Sequence, residues 1–356
     1  MRDHTVTELE KLRWGIIGCG QIAHDRILPA LNLAQNGEVV ALFDPDHERV
    51  ARALLKAPGA ATYDTIEGIL GDPGVEAVYI ATPNHLHAEQ TIAAAAAGKH
   101  VLVEKPMALD AAQGCEMVEA ADRAGVKLMV AYMTLFNPAF QAAKRLVETE
   151  ALGTIVSARG RHSYRMSPES LSTANTWRLD PQLGGGPLLD VGVYSIFTLR
   201  ELTGSRPRLV SATGTVKQLH GKTEYDSIIF SYLTDDDTPG VIEANFTFTS
   251  SNYELEGTRG RVNLTGHITQ LIAGRLDAEL WPDAKPRQVS EKVSHEVVPA
   301  GLPEFANYLG EVEHFADCVA TNTEPISAGR IAVGDLAVAD AVRESLRTGS
   351  RVEVRV

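Results

Sequence analysis

The chain has 356 residues, of which 44% are hydrophobic and 22% charged, a composition typical of a globular protein and long enough for two domains. Its formal net charge of −13 argues against nucleic acid and against an anionic membrane surface as partners. No apolar run approaches the roughly 20 residues that a membrane span needs.

The cellular compartment is indicated by the first residues and by the cysteines. The opening segment, MRDHTVTELEKLRW, is charged throughout and does not resemble a signal peptide. Cys19, Cys115 and Cys318 lie far apart and form no CxxC pair, so the sequence predicts neither a disulfide framework nor a zinc site. A cytoplasmic location is therefore expected.

A glycine-rich motif follows the first apolar run. Residues 13–18, RWGIIG, open directly into GCGQIA and a helical pattern, and strand, glycine loop and helix in this order are what dinucleotide binding requires. Gly18 would allow the tight turn, Gly20 would let the backbone approach a pyrophosphate, and Ala23 stands where a third glycine is usual. The helix amides would then face the phosphates. Glycine turns are common, so the motif predicts dinucleotide binding only in combination with the elements around it.

The next apolar run, EVVALFDPD, ends in Asp44, about 20 residues after the loop, where an acid is expected to bind the cofactor's ribose hydroxyls. A carboxylate repels a 2′-phosphate, and no arginine or lysine directly follows Asp44, so NAD is predicted over NADP. The alternative is that Asp44 and Asp46 only cap the helix HERVARALL, which we expect of Asp46.

The alternation of strands and helices then continues. Residues 77–82 (AVYIAT) predict a strand, TPNHLHAEQ a loop, and AEQTIAAAAAG a helix that ends at Gly98. Strands alternating with helices of roughly 10 to 15 residues predict a parallel, doubly wound sheet. His85 and His87 have no nearby acid or thiol, so they are expected to begin a helix at the cofactor edge and not to bind a metal.

Residues 99–107, KHVLVEKPM, place a short apolar run before an acid, a lysine and a proline. The run predicts a buried strand, and Pro106 keeps Lys105 out of the helical region, so the lysine projects from the carboxyl end of the strand. Ligands bind at such ends in an open α/β sheet. Lys105 is therefore a candidate for a chemical role, although most lysines only solvate a surface.

We place the domain boundary between 1–136 and 137–356, and the sequence pattern changes at Leu152-Gly153, after a helix around Phe140 to Glu148. Beyond Leu152 the chain alternates short strands with turn clusters such as TDDDTPG and GTRG, which predicts an antiparallel sheet. One helix, in LGGGPLLDVGVYSIFTLREL, interrupts the strands and is expected to pack on that sheet. Helices return at 304–319 and 332–346, and the final one could pack back on the first domain.

The interrupting helix carries an acid and a phenol. Asp190 and Tyr194 are four residues apart and so share a face. They could share a proton-transfer task at a cleft, whereas the structural alternative is a buried tyrosine whose hydroxyl Asp190 satisfies. Just upstream, Trp177 and Arg178 offer a stacking ring and a guanidinium fork for oxygen atoms.

Four segments in combination, GIIGCGQIA, ATPNHLHAE, VLVEKPMA and WRLDPQLGGGPLLDVGVY, resemble the Gfo/Idh/MocA family of nicotinamide oxidoreductases over essentially the whole chain. The resemblance implies an α/β Rossmann domain followed by an α+β domain with a large, mostly antiparallel sheet, through which homodimers or homotetramers form. It also implies that Lys105 lies beside the nicotinamide, that its bond to Pro106 can be cis, and that the substrate is a sugar, a polyol or a related alcohol.

The sequence departs from the common family pattern at one position. Many members carry histidine at the end of a DxGxH motif, whereas DVGVY places Tyr194 there. This variant is similar to the branch that contains glucose-fructose oxidoreductase, pyranose and xylose dehydrogenases and dihydrodiol dehydrogenase, in which the tyrosine is taken as the acid or base. That branch often uses NADP, whereas Asp44 favours NAD.

The resulting hypothesis is hydride transfer from a sugar hydroxyl carbon, with C1 of an aldopyranose as the first candidate, to the nicotinamide while Tyr194 accepts the hydroxyl proton. Lys105 is expected to lower the pKa of Tyr194 and to hold the substrate oxygen, and Asp190 to orient Lys105 or a second hydroxyl. The alternatives are oxidation at another ring hydroxyl such as C3, carbonyl reduction, and a non-enzymatic nucleotide-sensing regulator on the same fold. The complete Lys105, Asp190 and Tyr194 set argues against the regulator.

The candidate site residues come from both domains, and no metal is expected among them. The catalytic candidates are Lys105, Tyr194 and Asp190. The cofactor-binding candidates are Gly18, Gly20, Gln21, Ile22, Asp44, Thr82, Pro83, Asn84, His87, Glu104, Lys105, Trp177 and Arg178. The substrate-binding candidates are Lys105, Arg178, His162, Tyr164, Asp190 and Tyr194.

Overall fold

The first part of the chain folds around a six-stranded parallel sheet in the order β3-β2-β1-β4-β5-β6, as seen in a computed structural model. The structure describes residues 11–167, 171, 174–266, 268–269, 271–281, 291–297 and 303–355. The strands are β1 (Leu12–Ile17), β2 (Gly37–Phe43), β3 (Ala61–Tyr63), β4 (Ala77–Ile80), β5 (His100–Glu104) and β6 (Leu128–Ala131). This is the doubly wound order of a Rossmann fold, which confirms the predicted parallel sheet.

Helices connect these strands and cover both faces of the sheet. A π-helical turn, Ala23–Ile27, leads into α1. The helices are α1 (Leu28–Leu33), α2 (His47–Leu54), α3 (Ile66–Leu70), α4 (His87–Ala96) and α5 (Ala111–Ala124). The Asp46 carboxylate accepts hydrogen bonds from the amides of Glu48 and Arg49 at the start of α2, as predicted for a capping residue. His87 begins α4, also as predicted.

The second sheet has nine strands in the order β14-β13-β12-β11-β7-β10-β9-β8-β15. All neighbouring pairs are antiparallel except β7 and β10, which confirms the predicted, mostly antiparallel sheet. The strands are β7 (Ile155–Ser163), β8 (Pro207–Thr215), β9 (Ser227–Thr234), β10 (Pro239–Asn245), β11 (Ser250–Gly257), β12 (Gly260–Thr265), β13 (Gly274–Leu280), β14 (Glu291–Val297) and β15 (Val352–Glu353). The sequence does not mark β13 as a strand because its outward-facing residues are all charged: Arg275, Asp277 and Glu279.

One face of the second sheet is covered by helices and the other is open. The helices of this part are α6 (Pro138–Glu148), α7 (Val193–Thr203), α8 (Ala306–Thr321) and α9 (Gly329–Thr348). Leu188–Gly192 forms a π-helical turn directly before α7, so the predicted interrupting helix is continuous but changes its winding. Phe197 and Leu199 of α7 belong to the same buried cluster as Ala158, Phe230 and Ile242 of the sheet.

The two helices near the carboxyl end join the two parts of the molecule. Helix α8 packs beside α1, where Phe315 lies 5.3 Å from the Trp14 ring on β1. Helix α9 packs on α5 and β6 of the first part and also on α7 and β8 of the second. The region between the sheets is therefore enclosed by elements from both ends of the chain. No helix among the described residues has the length and apolar character that crossing a bilayer requires.

Candidate active site

The glycine loop at the end of β1 has the geometry that a dinucleotide needs. Gly18 adopts a φ of +93°, and a Cβ there would meet the carbonyl carbon of Ala81 at 2.8 Å, so only glycine fits. Apart from its two chain neighbours, no atom of the described residues lies within 4 Å of the place where a Cβ of Gly20 would stand, which leaves its backbone open to a ligand. Gln21 is exposed and Ile22 half-buried at the start of the following helical turn. The loop therefore fits a pyrophosphate.

Asp44 ties the end of β2 to this loop. It is 4% exposed, one carboxylate oxygen accepts the Cys19 amide at 2.8 Å, and the other accepts the Asp46 amide at 2.9 Å. The Arg49 guanidinium on α2 lies 3.9 Å from the Asp44 carboxylate. No basic residue directly follows Asp44 in the sequence, but a turn of α2 brings Arg49 back to its carboxylate, which the sequence alone did not indicate. Arg49 thus places a positive charge beside the Asp44 carboxylate.

The loop after β4 is fixed by hydrogen bonds from its own side chains. The Thr82 hydroxyl donates to Gln90 at 2.6 Å, and the Asn84 amide donates to the Gly184 carbonyl at 2.9 Å; Pro83 lies half-buried between them. The fully buried His87 ring contacts the carbonyls of Pro106 at 2.8 Å and Thr82 at 2.9 Å, and its burial lowers its pKa. Neither ring nitrogen of His87 is free for a cofactor, so this residue positions the loop.

Lys105 and Asp190 meet where the two parts of the molecule join. Lys105 follows β5, its bond to Pro106 is cis, and its ammonium donates to the Asp190 main-chain carbonyl at 2.9 Å. The same ammonium lies 3.5 Å from the Asp190 carboxylate and 4.6 Å from the centre of the Tyr194 ring. Lys105 and Asp190, which are 85 residues apart in the sequence, are thus in contact in the fold.

Asp190 is buried and held between two cations. Its second carboxylate oxygen lies 3.6 Å from Nε of Arg178, whose guanidinium stacks 4.6 Å from the Trp177 ring. Burial raises the pKa of Asp190, but the charges of Lys105 and Arg178 outweigh it, and the pKa is lowered. Asp190 therefore stays ionised and can hold Lys105 or accept from a hydroxyl group.

Tyr194 is almost completely buried, at 2% exposure, and its ring lies 4.9 Å from the ring of His162. Burial, followed by the charges of Tyr308 and Glu104, raises the pKa of Tyr194 well above its ordinary value. The expectation that Lys105 lowers this pKa is wrong for this structure, because the ammonium lies over the ring and desolvation dominates. Burial therefore favours the protonated, neutral form of the Tyr194 phenol.

The remaining predicted residues lie around this junction. The Glu104 carboxylate accepts from the Tyr79 hydroxyl at 2.8 Å and from the Lys105 amide at 3.1 Å. Burial raises the pKa of Glu104 in spite of the nearby Lys105 charge. Tyr164, just beyond β7, packs edge-on against Phe246 at 6.3 Å between ring centres. Over the described residues, no group of three or more His, Cys, Asp or Glu side chains is placed to hold a metal ion.

Three buried polar residues on α8 escaped the sequence analysis: Asn307, Tyr308 and Glu311. All are 0% exposed, and Tyr308 and Glu311 are electrostatically coupled to Glu104. The sequence did carry a signal for them. Asn307 and Glu311 fall, at i and i+4, on the helix face that also presents Tyr308 and Phe315, and polar residues on an apolar face are unusual.

Comparison with known proteins places this geometry in a family. Residues 12–132 match the model of an oxidoreductase family with an NAD-binding Rossmann fold, and residues 140–263 match the GFO/IDH/MocA C-terminal domain. The chain is 30% identical to "D-xylose 1-dehydrogenase (NADP(+)) 2" of Haloferax volcanii, over 96% of this chain and 100% of the relative. It is 30% identical to "1,5-anhydro-D-fructose reductase" of Ensifer adhaerens, over 96% of this chain and 98% of the relative.

A solved structure agrees over nearly the full length. A levoglucosan dehydrogenase in complex with NADH superimposes with a TM-score of 0.86 at 25% identity, over 97% of this chain and 100% of that one. The glycine loop and the Lys105–Pro106 turn agree with the family that these relatives indicate. One relative is a xylose dehydrogenase, as the Tyr194 variant of the motif suggested. The chain belongs to the Gfo/Idh/MocA family of NAD(P)-dependent oxidoreductases.

Proposed function

We propose that the protein transfers hydride between NAD(P) and the hydroxyl carbon of a pyranose-type sugar or a polyol, with C1 as the first candidate. The observation that carries this proposal is the meeting of Lys105, Asp190 and Tyr194 at the carboxyl end of β5, the edge of the sheet that also holds the glycine loop. The xylose 1-dehydrogenase relative supports the choice of carbon.

Each residue of the junction has a distinct part. The bound nicotinamide would accept or supply the hydride. Lys105, anchored on the Asp190 carbonyl, would hold the substrate oxygen with its ammonium, and Tyr194 would exchange the proton of that oxygen. The ionised Asp190 carboxylate, which Arg178 also holds, would accept a hydrogen bond from a neighbouring hydroxyl and so fix which carbon faces the nicotinamide.

Carbonyl reduction is the second candidate, and the state of Tyr194 favours it. A phenol whose pKa lies well above its ordinary value keeps its proton at neutral pH and can donate it to a forming alkoxide. The anhydrofructose reductase relative is consistent with this direction. Oxidation at another ring hydroxyl would use the same residues with the sugar turned in the site.

We propose NAD as the preferred cofactor, because the Asp44 carboxylate faces the place of the ribose hydroxyls. Arg49 supports NADP instead, and the relatives are divided, since one is named for NADP and one structure holds NADH. The Asp44 oxygens are both hydrogen-bonded to backbone amides, which fixes the carboxylate in place. Arg49 is itself paired with Asp46 at 3.2 Å, which partly neutralises the charge that it could offer a phosphate, whereas a fixed carboxylate repels a phosphate.

The second sheet offers a surface for a homodimer or a homotetramer. Its open face carries two exposed apolar side chains, Ile229 at 48% exposure and Phe248 at 39%, the latter 6.0 Å from the Arg161 guanidinium. A second copy would cover these groups. Light scattering should show a mass of at least two chains. We also propose that the protein acts in the cytoplasm, because all three cysteines are unpaired.

The test of the function is a spectrophotometric screen of NAD and NADP, in both directions, against aldoses, inositols, other polyols and keto sugars. We expect reduction of NAD with at least one aldopyranose, and NMR of the product to show the lactone that oxidation at C1 gives. A keto sugar as product would move the reaction to a ring hydroxyl. Tight cofactor binding without turnover of any compound would favour the regulator.

A further inference from the structure

A side-chain hydrogen bond joins the loop after β4 to residues 177–187, the segment that carries Arg178. The amide of Asn84 donates to the main-chain carbonyl of Gly184 at 2.9 Å, although the two residues are 100 positions apart in the sequence. Asn84 is 4% exposed, so water competes little for this bond. Over the residues that the structure describes, it is the only hydrogen bond between residues 177–187 and the first part of the chain. The position of this segment against the first part therefore depends on Asn84.

The loop that carries the Asn84 amide is itself held in place. The His87 ring contacts the carbonyl of Thr82 at 2.9 Å and the carbonyl of Pro106 at 2.8 Å, so it fixes this loop against the turn that carries Lys105. A donor on a fixed loop loses little freedom when it binds, which strengthens its hold on the acceptor. The position of the Asn84 amide is therefore set by the same elements that place Lys105.

The segment that accepts this hydrogen bond is wrapped tightly around the backbone of Arg178. Gly184 adopts a φ of +78°, and a Cβ there would stand 3.0 Å from the Cβ of Asn84, so only glycine allows this approach. A Cβ on Gly185 would meet the carbonyl carbon of Arg178 at 2.6 Å. The Gly186 amide donates to the Arg178 carbonyl at 2.7 Å. Holding Gly184 in place therefore also holds the backbone of Arg178.

Arg178 connects this segment to the proposed proton-transfer residues. Its Nε lies 3.6 Å from the carboxylate of Asp190, whose main-chain carbonyl accepts the Lys105 ammonium at 2.9 Å. The Asp190 amide in turn donates to the Gly186 carbonyl at 3.2 Å. Hydrogen bonds and one ion pair thus run without a gap from Asn84 to Asp190.

We propose that Asn84 is a positioning residue for the substrate: by holding Gly184 it sets Arg178 against Asp190. The proposal rests on the proposed function, in which the Asp190 carboxylate fixes the hydroxyl carbon that faces the nicotinamide. A displacement of about 1 Å in a reacting group can lower a rate about 100-fold, so a hydrogen bond remote from the substrate matters when it fixes such a group. The sequence predicts a cofactor contact for Asn84, whereas this role needs none.

The experiment breaks the hydrogen bond from both ends, with Asn84→Ala and Gly184→Ala. We expect each variant to lower kcat/KM for the sugar about tenfold and to leave NAD affinity within about twofold. One control is Asn36→Ala, which removes an amide that donates to the Glu313 carbonyl at 2.9 Å, before β2 at the opposite edge of the sheet. The other is Gly125→Ala, where φ is +68° and a Cβ meets nothing within 4 Å among the described residues. Both controls should keep the wild-type kcat/KM.

Combination with Arg178→Met tests the route by which Asn84 acts. If Asn84 acts through Arg178, the double variant should match Arg178→Met alone in kcat/KM, within about twofold. Additive losses would overturn this route. A loss of NAD affinity in Asn84→Ala that Gly184→Ala does not share would also overturn the proposal, because that pattern is typical of a cofactor ligand. Normal kcat/KM in both single variants would have the same consequence.

A second readout, amide hydrogen exchange, needs no substrate. The amides of Gly185 and Gly186 donate to main-chain carbonyls within the segment, at 2.8 Å and 2.7 Å. Mass spectrometry of peptides that cover them should show exchange at least about threefold faster in Asn84→Ala than in the wild type and in Asn36→Ala. Unchanged exchange in Asn84→Ala overturns the proposal. If the wild type turns over no sugar or polyol, the proposed function fails, and the exchange rates still decide whether Asn84 holds the segment.

Discussion

The two halves of the proposed site differ in what holds their residues. In the cofactor half, Gly18, Cys19 and Asp44 are joined through backbone amides over a short stretch of chain, and the Asp44 oxygens have their partners. In the proton-transfer half, Lys105 and Tyr194 come from different parts of the chain and meet through their side chains. Backbone hydrogen bonds and glycine conformation therefore hold the cofactor half, whereas side-chain contacts between the two parts of the molecule hold the proton-transfer half.

The largest effect should come from the proton-transfer half. Tyr194→Phe removes the hydroxyl but keeps the ring that packs over Lys105 and beside His162, so the fold and the cofactor affinity should persist. Loss of a positioned acid or base lowers rates by about 10²–10⁴-fold, and we expect kcat to fall in that range. Steady-state kinetics with the best sugar, together with cofactor titration by fluorescence, measure both.

The matched control for Tyr194→Phe is Tyr225→Phe, which removes one hydroxyl from a half-buried ring just before β9 that is not among the candidate site residues. It should leave kcat within about twofold, as ordinary surface changes do. Near-normal turnover of Tyr194→Phe, or of Lys105→Ala with normal cofactor affinity, would show that the junction is structural and would remove the contrast between the halves.

The cofactor half makes a second, paired prediction. Gly18→Ala forces a side chain into a φ of +93° and against Ala81, so it should destabilise the fold by about 1–3 kcal/mol and weaken the cofactor site as well. Gly20→Ala meets no protein atom, so the melting temperature should stay unchanged while NAD affinity falls about tenfold, which corresponds to about 1.4 kcal/mol. Calorimetry measures the loss of stability and cofactor titration measures the loss of affinity, so together they distinguish the two variants. Equal losses of stability in both variants would contradict this reading of the loop.

The same contrast explains how much the sequence could predict. The glycine loop, the Asp46 cap and Lys105 at its strand end were predicted because each follows from a few consecutive residues. The pairing of Lys105 with Tyr194 came only from the family resemblance, since no rule of spacing connects residues so far apart. Arg49 was missed because a helical turn brings it back to the Asp44 carboxylate.

A smaller effect is expected from substitutions that change the preference between NAD and NADP. Asp44→Asn keeps an acceptor for one of the two amides and removes the charge, so the preference for NAD over NADP, measured as the ratio of kcat/KM values, should fall about tenfold. Arg49→Met should raise that ratio, because it removes the cation that would bind a 2′-phosphate. If Asp44→Asn left the ratio unchanged and Arg49→Met raised it, the arginine would determine cofactor choice.

The smallest effect concerns the charges around Asp190. Its pKa is lowered by Lys105 and Arg178, so the stability from these contacts is present above the unfolded pKa, near 3.8, and is lost as pH falls through the lower folded value. Arg178→Met removes one half-exposed partner and raises that folded pKa. The variant should therefore be less stable than the wild type by up to about 1 kcal/mol above pH 5, with the difference shrinking as the pH falls below about 3.8 towards the lowered folded pKa of Asp190.

Urea unfolding between pH 3 and pH 7 measures this difference, and Arg159→Met serves as its control because Arg159 is 61% exposed and 4.0 Å from Glu254. The control should show no pH-dependent loss. A constant difference down to pH 3 for Arg178→Met would mean that its guanidinium stabilises the fold through the Trp177 ring alone. In that case Asp190 would be held by Lys105 only, and the proton-transfer half would rest on one ion pair instead of two.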